Sequence, residues 1–405
     1  MTTQVVSTKE VTAEIQIEAP ISQIYYLFST RSGWSDWFAD HVSGKVAVDN
    51  LLQLQHGTLG KIAFLFREVV PEKRIVFAFL TPDNLSAGEV TISLEADQGE
   101  TAVTISHAGL EQDEVDRLKD LWQNGLDNMK ELMEQARDPR LWNRPFLGVT
   151  VGEWVTPEYA AKNNLATEYG MHINSVIEGR GAANAGITGG DTIISLAGVP
   201  INETPALLKV YADNHAGDTI DVEYYHGQEL RQSRLTLSAF PVPEVPATTH
   251  DIADRLDEYF QKVNQKLEQM LEGQNEAQLE YRHAAGEWSV KEVLAHLVAS
   301  ENDSIHWLGS YLAGREVHPY TSGTPARLKS LLVLYPTTDK LLQKLRQAQK
   351  ELVSLINQIP AEVVSRKASM VRLSFSYSLD VNIHYKEHLA QIADILERAA
   401  DIHAQ

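Results

Sequence analysis

Three histidines in the C-terminal third of the chain have the spacing of a metal site. His384 and His388 are four residues apart in a segment of helical periodicity, so they would lie about 40° apart on one face of a helix. Two imidazoles placed in this way can share one metal ion. His296 is the best candidate for a third ligand, because it lies beside the apolar face of another predicted helix. The spacing is therefore compatible with a divalent metal bound by His296, His384 and His388. The alternative from spacing alone is a satisfied core histidine at 296 and an accidental i,i+4 pair at a helix end.

The chemistry of such a site follows from its ligands. Three neutral imidazoles leave coordination positions open, as catalytic sites do. Zinc, nickel and iron all accept these ligands, so the sequence does not choose among them. The metal would acidify a bound water for attack on an electrophile, or hold a thiol substrate as its thiolate. Glu387 could reach metal-bound water as a base, although a solvated position on the helix surface is the simpler interpretation.

The same segment also reads His-x-x-Glu-His from His384 to His388, which is the inverted zinc-protease motif. In that motif a further acidic ligand lies well downstream. The residues after His388 all belong to the same predicted helix, so this alternative is disfavoured.

Two predicted helices must position the histidines. The first begins with a capping box, in which Ser289 is the N-cap and Glu292 follows three residues later. The second, which carries His384 and His388, has an apolar stripe at helical spacing. This stripe consists of Ile383, Ile392, Ile395 and Leu396.

These stretches resemble the DinB-like family of four-helix bundles over about residues 250–402. The family has a Trp-Ser pair before a His-Leu helix, and His-x-x-x-His-x-x-Gln-Ile in its last helix. The matching residues are Trp288-Ser289, His296-Leu297, His384, His388 and Gln391-Ile392. The resemblance implies a divalent metal on three histidines and, in parts of the family, thiol transfer or hydrolysis. Four helices are expected, at about residues 251–271, 289–312, 325–358 and 376–400.

Composition limits the partners. Aspartate and glutamate total 55 against 35 lysines and arginines, a formal net charge of −20. This charge disfavours nucleic acid and anionic membrane surfaces. The chain has no cysteine, so its metal chemistry must use His, Asp and Glu. No apolar run approaches the ~18 residues of a membrane span and the first residues lack a signal-peptide core, so we expect a cytoplasmic, bacterial-type protein of two to four domains.

Residues 1–138 mix strands and helices. Alternating apolar residues predict a strand near 11–17, and a short helix follows Pro20. Trp34 and Trp37 are placed in a loop after it. Further strands are expected at 62–69, 74–80, 89–94 and 102–107, with turns between them, one of them at residues 82–84, and an amphipathic helix at about 111–135.

This order resembles the START-like superfamily, and within it the relatives of the Hsp90 ATPase activator. The matching features are Ile17-Glu18-Ala19-Pro20, the Trp34…Trp37 pair and the Trp-bearing last helix. The resemblance implies an α+β helix-grip fold, in which a curved antiparallel sheet wraps a long helix, with an apolar cavity between. Gly125 lies on the otherwise bulky face of that helix, which suggests room for an apolar small molecule. The alternative is that these aromatic residues are simply core.

The segment 144–241 resembles mainly-β PDZ domains of the HtrA-protease type. The resemblance is carried by Phe146-Leu147-Gly148-Val149 and by an Ala-Gly-Ile…Gly-Asp-x-Ile run at 185–193. No protease serine motif accompanies it. The glycine-rich stretch is not a dinucleotide fingerprint, because Asn184 stands where the third glycine belongs.

A PDZ domain implies a peptide or protein C-terminus as partner. The backbone N–H groups of Phe146, Leu147, Gly148 and Val149 could hold its carboxylate, while the strand edge pairs with the peptide. Leu207, Leu208 and Tyr211, on the helix after Pro205, would form the opposite wall. The alternative is a PDZ domain used only as a docking block within the chain.

The sequence thus predicts three modules at 1–138, 144–241 and 250–402, with a Pro-rich spacer before the last. Two functions stay open. One is a metal-dependent transferase or hydrolase of small molecules. The other is a non-enzymatic adaptor or stress scaffold that binds peptide C-termini and an apolar ligand.

Overall fold

The computed structural model describes residues 9–57, 59–82, 87–284, 286–313 and 321–403. Its chain divides into two compact units, Met1–Arg137 together with Pro243–Gln405, and Asp138–Val242. The multidomain fold class expected from the sequence is confirmed, with an antiparallel sheet and helix, a sheet-rich middle region and a helical C-terminal region. The turn predicted at 82–84 lies largely outside the described residues. Within the described ranges, no helix is long and apolar enough to cross a membrane.

The first unit begins with a seven-stranded antiparallel sheet in its described residues. The strand order is β1-β7-β6-β5-β4-β3-β2. The strands are β1 (Lys9–Ile17), β2 (His41–Gly44), β3 (Leu51–His56), β4 (Gly60–Val70), β5 (Arg74–Leu80), β6 (Glu89–Asp97) and β7 (Glu100–Leu110). Buried and exposed residues alternate along them, because successive side chains point to opposite faces of a sheet.

Three helices accompany this sheet: α1 (Ile21–Ser29), α2 (Arg31–Trp37) and α3 (Val115–Gln135). The prediction that Trp34 and Trp37 lie in a loop is wrong, because both belong to α2. Thr30 caps this helix by accepting from the Gly33 N–H at 2.9 Å. A Cβ at Gly33 would lie 2.4 Å from the Tyr26 carbonyl oxygen, so glycine permits the tight passage from α1 to α2.

The second unit contains a six-stranded sheet, with the path β14-β13-β11-β10-β9 and β12 paired to β11. Its core contains Leu147, Met171, Ile193 and Val222, among other residues. Its elements are α4 (Pro139–Trp142), β8 (Pro145–Phe146), β9 (Val149–Trp154), α5 (Pro157–Asn163), β10 (Met171–Val176), α6 (Gly181–Asn184), β11 (Thr192–Leu196), β12 (Val199–Pro200), α7 (Thr204–Ala212), β13 (Thr219–His226), β14 (Glu229–Thr236) and β15 (Ser238–Ala239).

The C-terminal part of the first unit is a helical bundle. Its helices are α8 (Thr249–Leu271), α9 (Glu276–Leu279), α10 (Val290–Leu312), α11 (Pro325–Leu334), α12 (Thr338–Asn357), α13 (Ala361–Val364), α14 (Lys367–Ser374) and α15 (Val381–His403). A π-helical segment, Phe375–Asp380, joins α14 to α15.

Three bundle predictions need correction. The helix expected at 325–358 is two helices, because Pro336 cannot donate the backbone hydrogen bond that would continue the first one. The last helix does not begin at 376, since residue 376 lies within the π-helical segment and α14 precedes it. Ile383 does not join the predicted apolar stripe and is 37% exposed, whereas Ile392 and Ile395 are buried.

Candidate metal centre

Helix α10 delivers His296 to the core of the bundle. Its start is fixed by the capping box: the Ser289 side chain accepts from the Glu292 N–H at 3.3 Å, and Glu292 accepts from the Ser289 N–H at 2.8 Å. Two turns later His296 is buried, with 9% of its surface exposed. His384 and His388 on α15 are half-buried, so the three rings meet where the bundle interior reaches solvent.

The three imidazoles converge through their Nε2 atoms. The Nε2 of His384 lies 3.0 Å from that of His296 and 3.1 Å from that of His388. The three side chains form the one group of potential metal ligands found among the described residues, with ligand atoms all within 4.8 Å of one another. The structure thus brings together the three residues that the sequence singled out.

These separations suit a metal with open positions. Nitrogens 3.0 and 3.1 Å apart are close enough to bind one ion with metal–nitrogen bonds of about 2.1 Å. Three protein ligands would leave coordination positions for water or substrate. The donor set therefore fits a divalent transition metal.

A hydrogen bond orients His388. Its Nδ1 lies 2.8 Å from Oε1 of Gln391. The amide oxygen only accepts, so Nδ1 carries the proton and Nε2 keeps its lone pair for a metal. The Nδ1 of His296 is buried without a hydrogen bond of standard geometry.

The pocket keeps the imidazoles neutral. Burial, together with the neighbouring His388 and His296, lowers the pKa of His384 to about 3. Burial also lowers the pKa of His388 to about 4, although the Gln391 hydrogen bond opposes that shift. The pKa of His296 is lowered as well, again chiefly by burial. Neutral imidazole is the form that binds a metal.

Trp288 forms a wall beside the site. Its indole stacks on His388 with 6.3 Å between ring centroids and lies 4.9 Å from the ring of His296. A Cβ at Gly323 would lie 3.7 Å from this indole. The sequence identified Trp288 only as part of a motif, and its contact with the ligands depends on the tertiary fold.

The position of Glu387 gives no support for a ligand role. Its side chain is half-buried, and the potential ligand group of the described residues contains no carboxylate. The arrangement therefore lacks the acidic ligand that the His-x-x-Glu-His motif needs.

In the PDZ-like unit, the predicted groove residues differ in exposure. Leu147 is fully buried in the core, so it can offer a peptide only its backbone. Gly148 has a φ of 82°, a conformation that favours glycine. Leu207 and Tyr211 are partly buried against the same core. The edge of β9 opposite β10 is the end of the sheet path.

Aromatic rings fill the space between helix α3 and the sheet. Trp34, Trp37 and Trp122 are almost fully buried, and Phe38 stacks on Trp122 with centroids 5.3 Å apart. A Cβ at Gly125 would lie 3.0 Å from Cζ3 of Trp37. The prediction of open space beside Gly125 is therefore wrong, because the Trp37 indole occupies that space.

Comparison with protein families supports three modules in the expected order. The model described as Activator of Hsp90 ATPase homolog 1-like protein matches residues 18–134, the PDZ domain model matches 145–237, and the DinB superfamily model matches 259–392. The modular identification made from the sequence is thus confirmed.

Individual relatives cover parts of the chain. A probable periplasmic serine endoprotease DegP-like from Bartonella henselae is 30% identical over 115 residues, 28% of this chain and 22% of that protein. The chain thus matches about a fifth of the length of this curated relative.

Among solved structures, the Aha1 dimer from Colwellia psychrerythraea is 21% identical, with 31% of this chain and 97% of that chain covered and a TM-score of 0.30. CalU16 from Micromonospora echinospora is 15% identical, with 30% and 83% covered and a TM-score of 0.26. Scores this low carry no argument about function.

Proposed function

We propose that the C-terminal bundle binds one divalent transition metal, zinc, nickel or iron, through Nε2 of His296, His384 and His388. We further propose that this metal is the reactive centre of a thiol transferase or hydrolase of small molecules. The observation that supports the proposal is the convergence of three Nε2 atoms, with two separations of 3.0 and 3.1 Å, in a pocket that keeps them unprotonated.

The residues around the site have separate tasks in this proposal. The bound metal supplies Lewis-acid chemistry toward a water or a thiol. Gln391 holds the His388 ring in the tautomer whose Nε2 is free to bind. Trp288 shields one side of the pocket from water. The half-exposed side at His384 and His388 gives substrate its access. Glu387 is the candidate for accepting a proton at its carboxylate, and its contribution is left to experiment.

Metal analysis of the 405-residue chain tests the site. Protein purified without chelator, then loaded with zinc or nickel and desalted, should retain about one metal per chain. Metal should raise the thermal midpoint, since it binds the folded state only. His296→Ala, His384→Ala and His388→Ala should each lose most of the affinity. His306→Ala is the matched control, because His306 lies on the same helix α10 but outside the ligand group.

The catalytic half of the proposal needs its own assay. A screen of thiol transfer and hydrolysis with the loaded protein should find a reaction that the three histidine variants lose. A Glu387→Gln variant then measures how far that carboxylate assists. Stoichiometric metal without turnover in such a screen would remove the enzymatic half and leave the metal site standing.

A second function rests on the PDZ match at residues 145–237. We propose that this unit binds the C-terminus of a peptide or protein. We also propose that the START-like module binds an apolar small molecule outside the space beside Gly125, which the Trp37 indole occupies. The two activities together would make the chain an adaptor or stress scaffold. The position of β9 at the end of the sheet path, beside the Gly148 loop, supports peptide binding. We also propose a cytoplasmic location, which cell fractionation tests.

A further inference from the structure

The START-like module and the bundle meet at an ion pair between the buried Asp36 and the partly exposed Arg372. Nε of Arg372, on α14, donates to Oδ1 of Asp36 at 2.5 Å, and Nη2 of Arg372 donates to Oγ of Ser35 at 3.0 Å. Asp36 is 5% exposed. Ser35 and Asp36 lie between the two core tryptophans of α2. The indoles of α2 therefore pack in the core of the START-like module, whereas Ser35 and Asp36 contact the bundle.

Further contacts from α14 reinforce this docking. The guanidinium of Arg366, which caps α14, lies 4.2 Å above the ring of Tyr26. Nζ of Lys367 donates to the carbonyl oxygen of Glu134 at 2.5 Å. That carbonyl belongs to the last turn of α3, where the helix dipole favours a cation. Three cations of the bundle thus face an acid, an aromatic ring and a helix C-terminus.

The docking helix continues into the helix of the metal ligands. Helix α14, the π-helical segment Phe375–Asp380 and α15 follow one another without a break. A π-helical turn holds one residue more than an α-helical turn, and one residue corresponds to about 100° of rotation. The π-helical segment therefore sets the direction in which His384 and His388 point relative to Arg372.

Hydrogen bonds from the bundle hold this register. The Tyr377 hydroxyl, in the π-helical segment, donates to the Ser304 carbonyl on α10 at 3.4 Å. The Tyr259 hydroxyl on α8 donates to the Asn382 carbonyl at 3.2 Å. Helix α10 also carries His296, so the π-helical segment is tied to the helix of the third ligand.

We propose that docking of the START-like module on α14 holds the π-helical segment in register, and that Arg372 is thereby a positioning residue for the metal centre. The inference rests on the proposed metal site. If Arg372 is removed, Asp36 keeps a buried charge without its guanidinium partner, and α14 loses a contact that fixes its rotation. Relaxation of the π-helical turn to an α-helical one would rotate His384 and His388 away from His296. The START-like module then controls metal affinity without touching the metal.

Zinc affinity of the 405-residue chain tests the proposal. Arg372→Met and the milder Arg372→Lys, which keeps the charge but loses the planar fork, are compared by competition with a chelator. We expect at least about tenfold weaker binding for Arg372→Met and a smaller loss for Arg372→Lys. Arg398→Met is the control, since Arg398 pairs with Asp394 at 2.9 Å on the exposed surface of α15, away from the docking helix α14. Affinities of folded Arg372 variants within twofold of the unchanged chain would overturn the proposal.

Hydrogen exchange of the metal-free protein separates this inference from the metal site itself. Arg372→Met should speed amide exchange in residues 375–388, whereas Arg398→Met should not. If Arg372→Met does not fold, Asp36→Asn replaces it in both experiments. If the unchanged chain binds no metal, the proposed function fails, but hydrogen exchange still tests whether docking holds the π-helical segment. Unchanged exchange in residues 375–388 of a folded variant would contradict the proposed role of docking. Because coupling is reciprocal, zinc should also slow exchange around Asp36, and no slowing argues against coupling.

Discussion

The hydroxyl of Tyr385 donates to Oε1 of Glu301 at 2.7 Å, in the interior of the bundle and next in sequence to the candidate metal ligand His384. Gln349 donates to the same hydroxyl at 2.9 Å, and Asn264 donates to Gln349 at 2.8 Å. One side chain from each of α8, α10, α12 and α15 thus joins a single chain of hydrogen bonds. Oε2 of Glu301 is buried without a partner.

This relationship predicts a pH dependence. Burial raises the pKa of Glu301 to about 7, against the opposing hydrogen bond from Tyr385. The folded protein therefore binds more protons than the unfolded chain between about pH 4.5 and 7. Below that window Glu301 is protonated in both the folded and the unfolded state, and the fold keeps its full stability. As the pH rises through the window, the stability falls, because the buried carboxyl resists ionisation. The loss amounts to about 3 kcal/mol in the free energy of unfolding.

Glu301→Gln removes the titration and keeps the shape. Urea unfolding of the metal-free variant should show less loss of stability between pH 5 and 8 than the unchanged chain shows. Glu397→Gln, at an exposed position of α15, is the control and should leave the pH dependence as it was. A Glu301→Gln variant with the full dependence would show that Glu301 stays ionised throughout.

Two glycines inside helices should respond in opposite ways to alanine. At Gly125 the new methyl group would lie 3.0 Å from Trp37, whereas at Gly309 it would meet nothing within 4 Å. Gly125→Ala should therefore lose about 1–3 kcal/mol of stability through overpacking. Gly309→Ala should gain up to about 1 kcal/mol from helix propensity. Thermal unfolding measures both changes, and a stabilised Gly125→Ala would mean that the aromatic cluster leaves space there.

The PDZ unit should prefer peptides that end in an apolar residue with a free carboxylate. Backbone N–H groups bind a charged acceptor more strongly than a neutral amide, so amidation should weaken binding at least about tenfold in fluorescence polarisation. Leu207→Ala should also weaken it, whereas Leu230→Ala, at an exposed position of β14, should not. Equal binding of free-acid and amidated peptides would contradict the prediction that backbone N–H groups of residues 146–149 hold the peptide carboxylate.

Local patterns explain how much of the fold was predictable. Strand β5 lies at 74–80, as predicted, because its residues and the flanking turns carry a local signal. The i,i+4 spacing of His384 and His388 is likewise local. The place of His296 beside an apolar helix face made it a candidate for the third ligand. Its contact with His384 has no local signal, because 88 residues separate the two histidines.

Tertiary features account for the misses. A π-helical turn has no signature in a 3.6-residue periodicity, so the segment before α15 and the exposure of Ile383 could not be read from it. The helix α2 is short, and it buries Ser32 and Asp36 along with both of its tryptophans, so no exposed polar face marks its period. Its docking through Asp36 to Arg372 joins residues on opposite ends of the chain.

Gln391 should control metal affinity through His388. Its Oε1 accepts from Nδ1 of His388 at 2.8 Å, and removal of such an outer partner costs about 10–100-fold in metal affinity. Gln391→Met keeps the length of the side chain but removes the acceptor, so zinc affinity measured by chelator competition should fall by that amount. Exposed Lys386→Met on the same helix is the control.

The pH profile of zinc binding follows from the same contacts. Because burial lowers the pKa of His384 to about 3 and that of His388 to about 4, protons compete with metal only in acid. The affinity should stay nearly level from pH 7 to 5 and weaken below that as the imidazoles protonate. Gln391→Met should weaken zinc binding across the whole pH range. The Gln391 hydrogen bond raises the pKa of His388, so its loss makes Nε2 of His388 less basic and a weaker metal ligand. An affinity already lost between pH 7 and 6 would mean that the folded protein leaves these imidazoles in solvent.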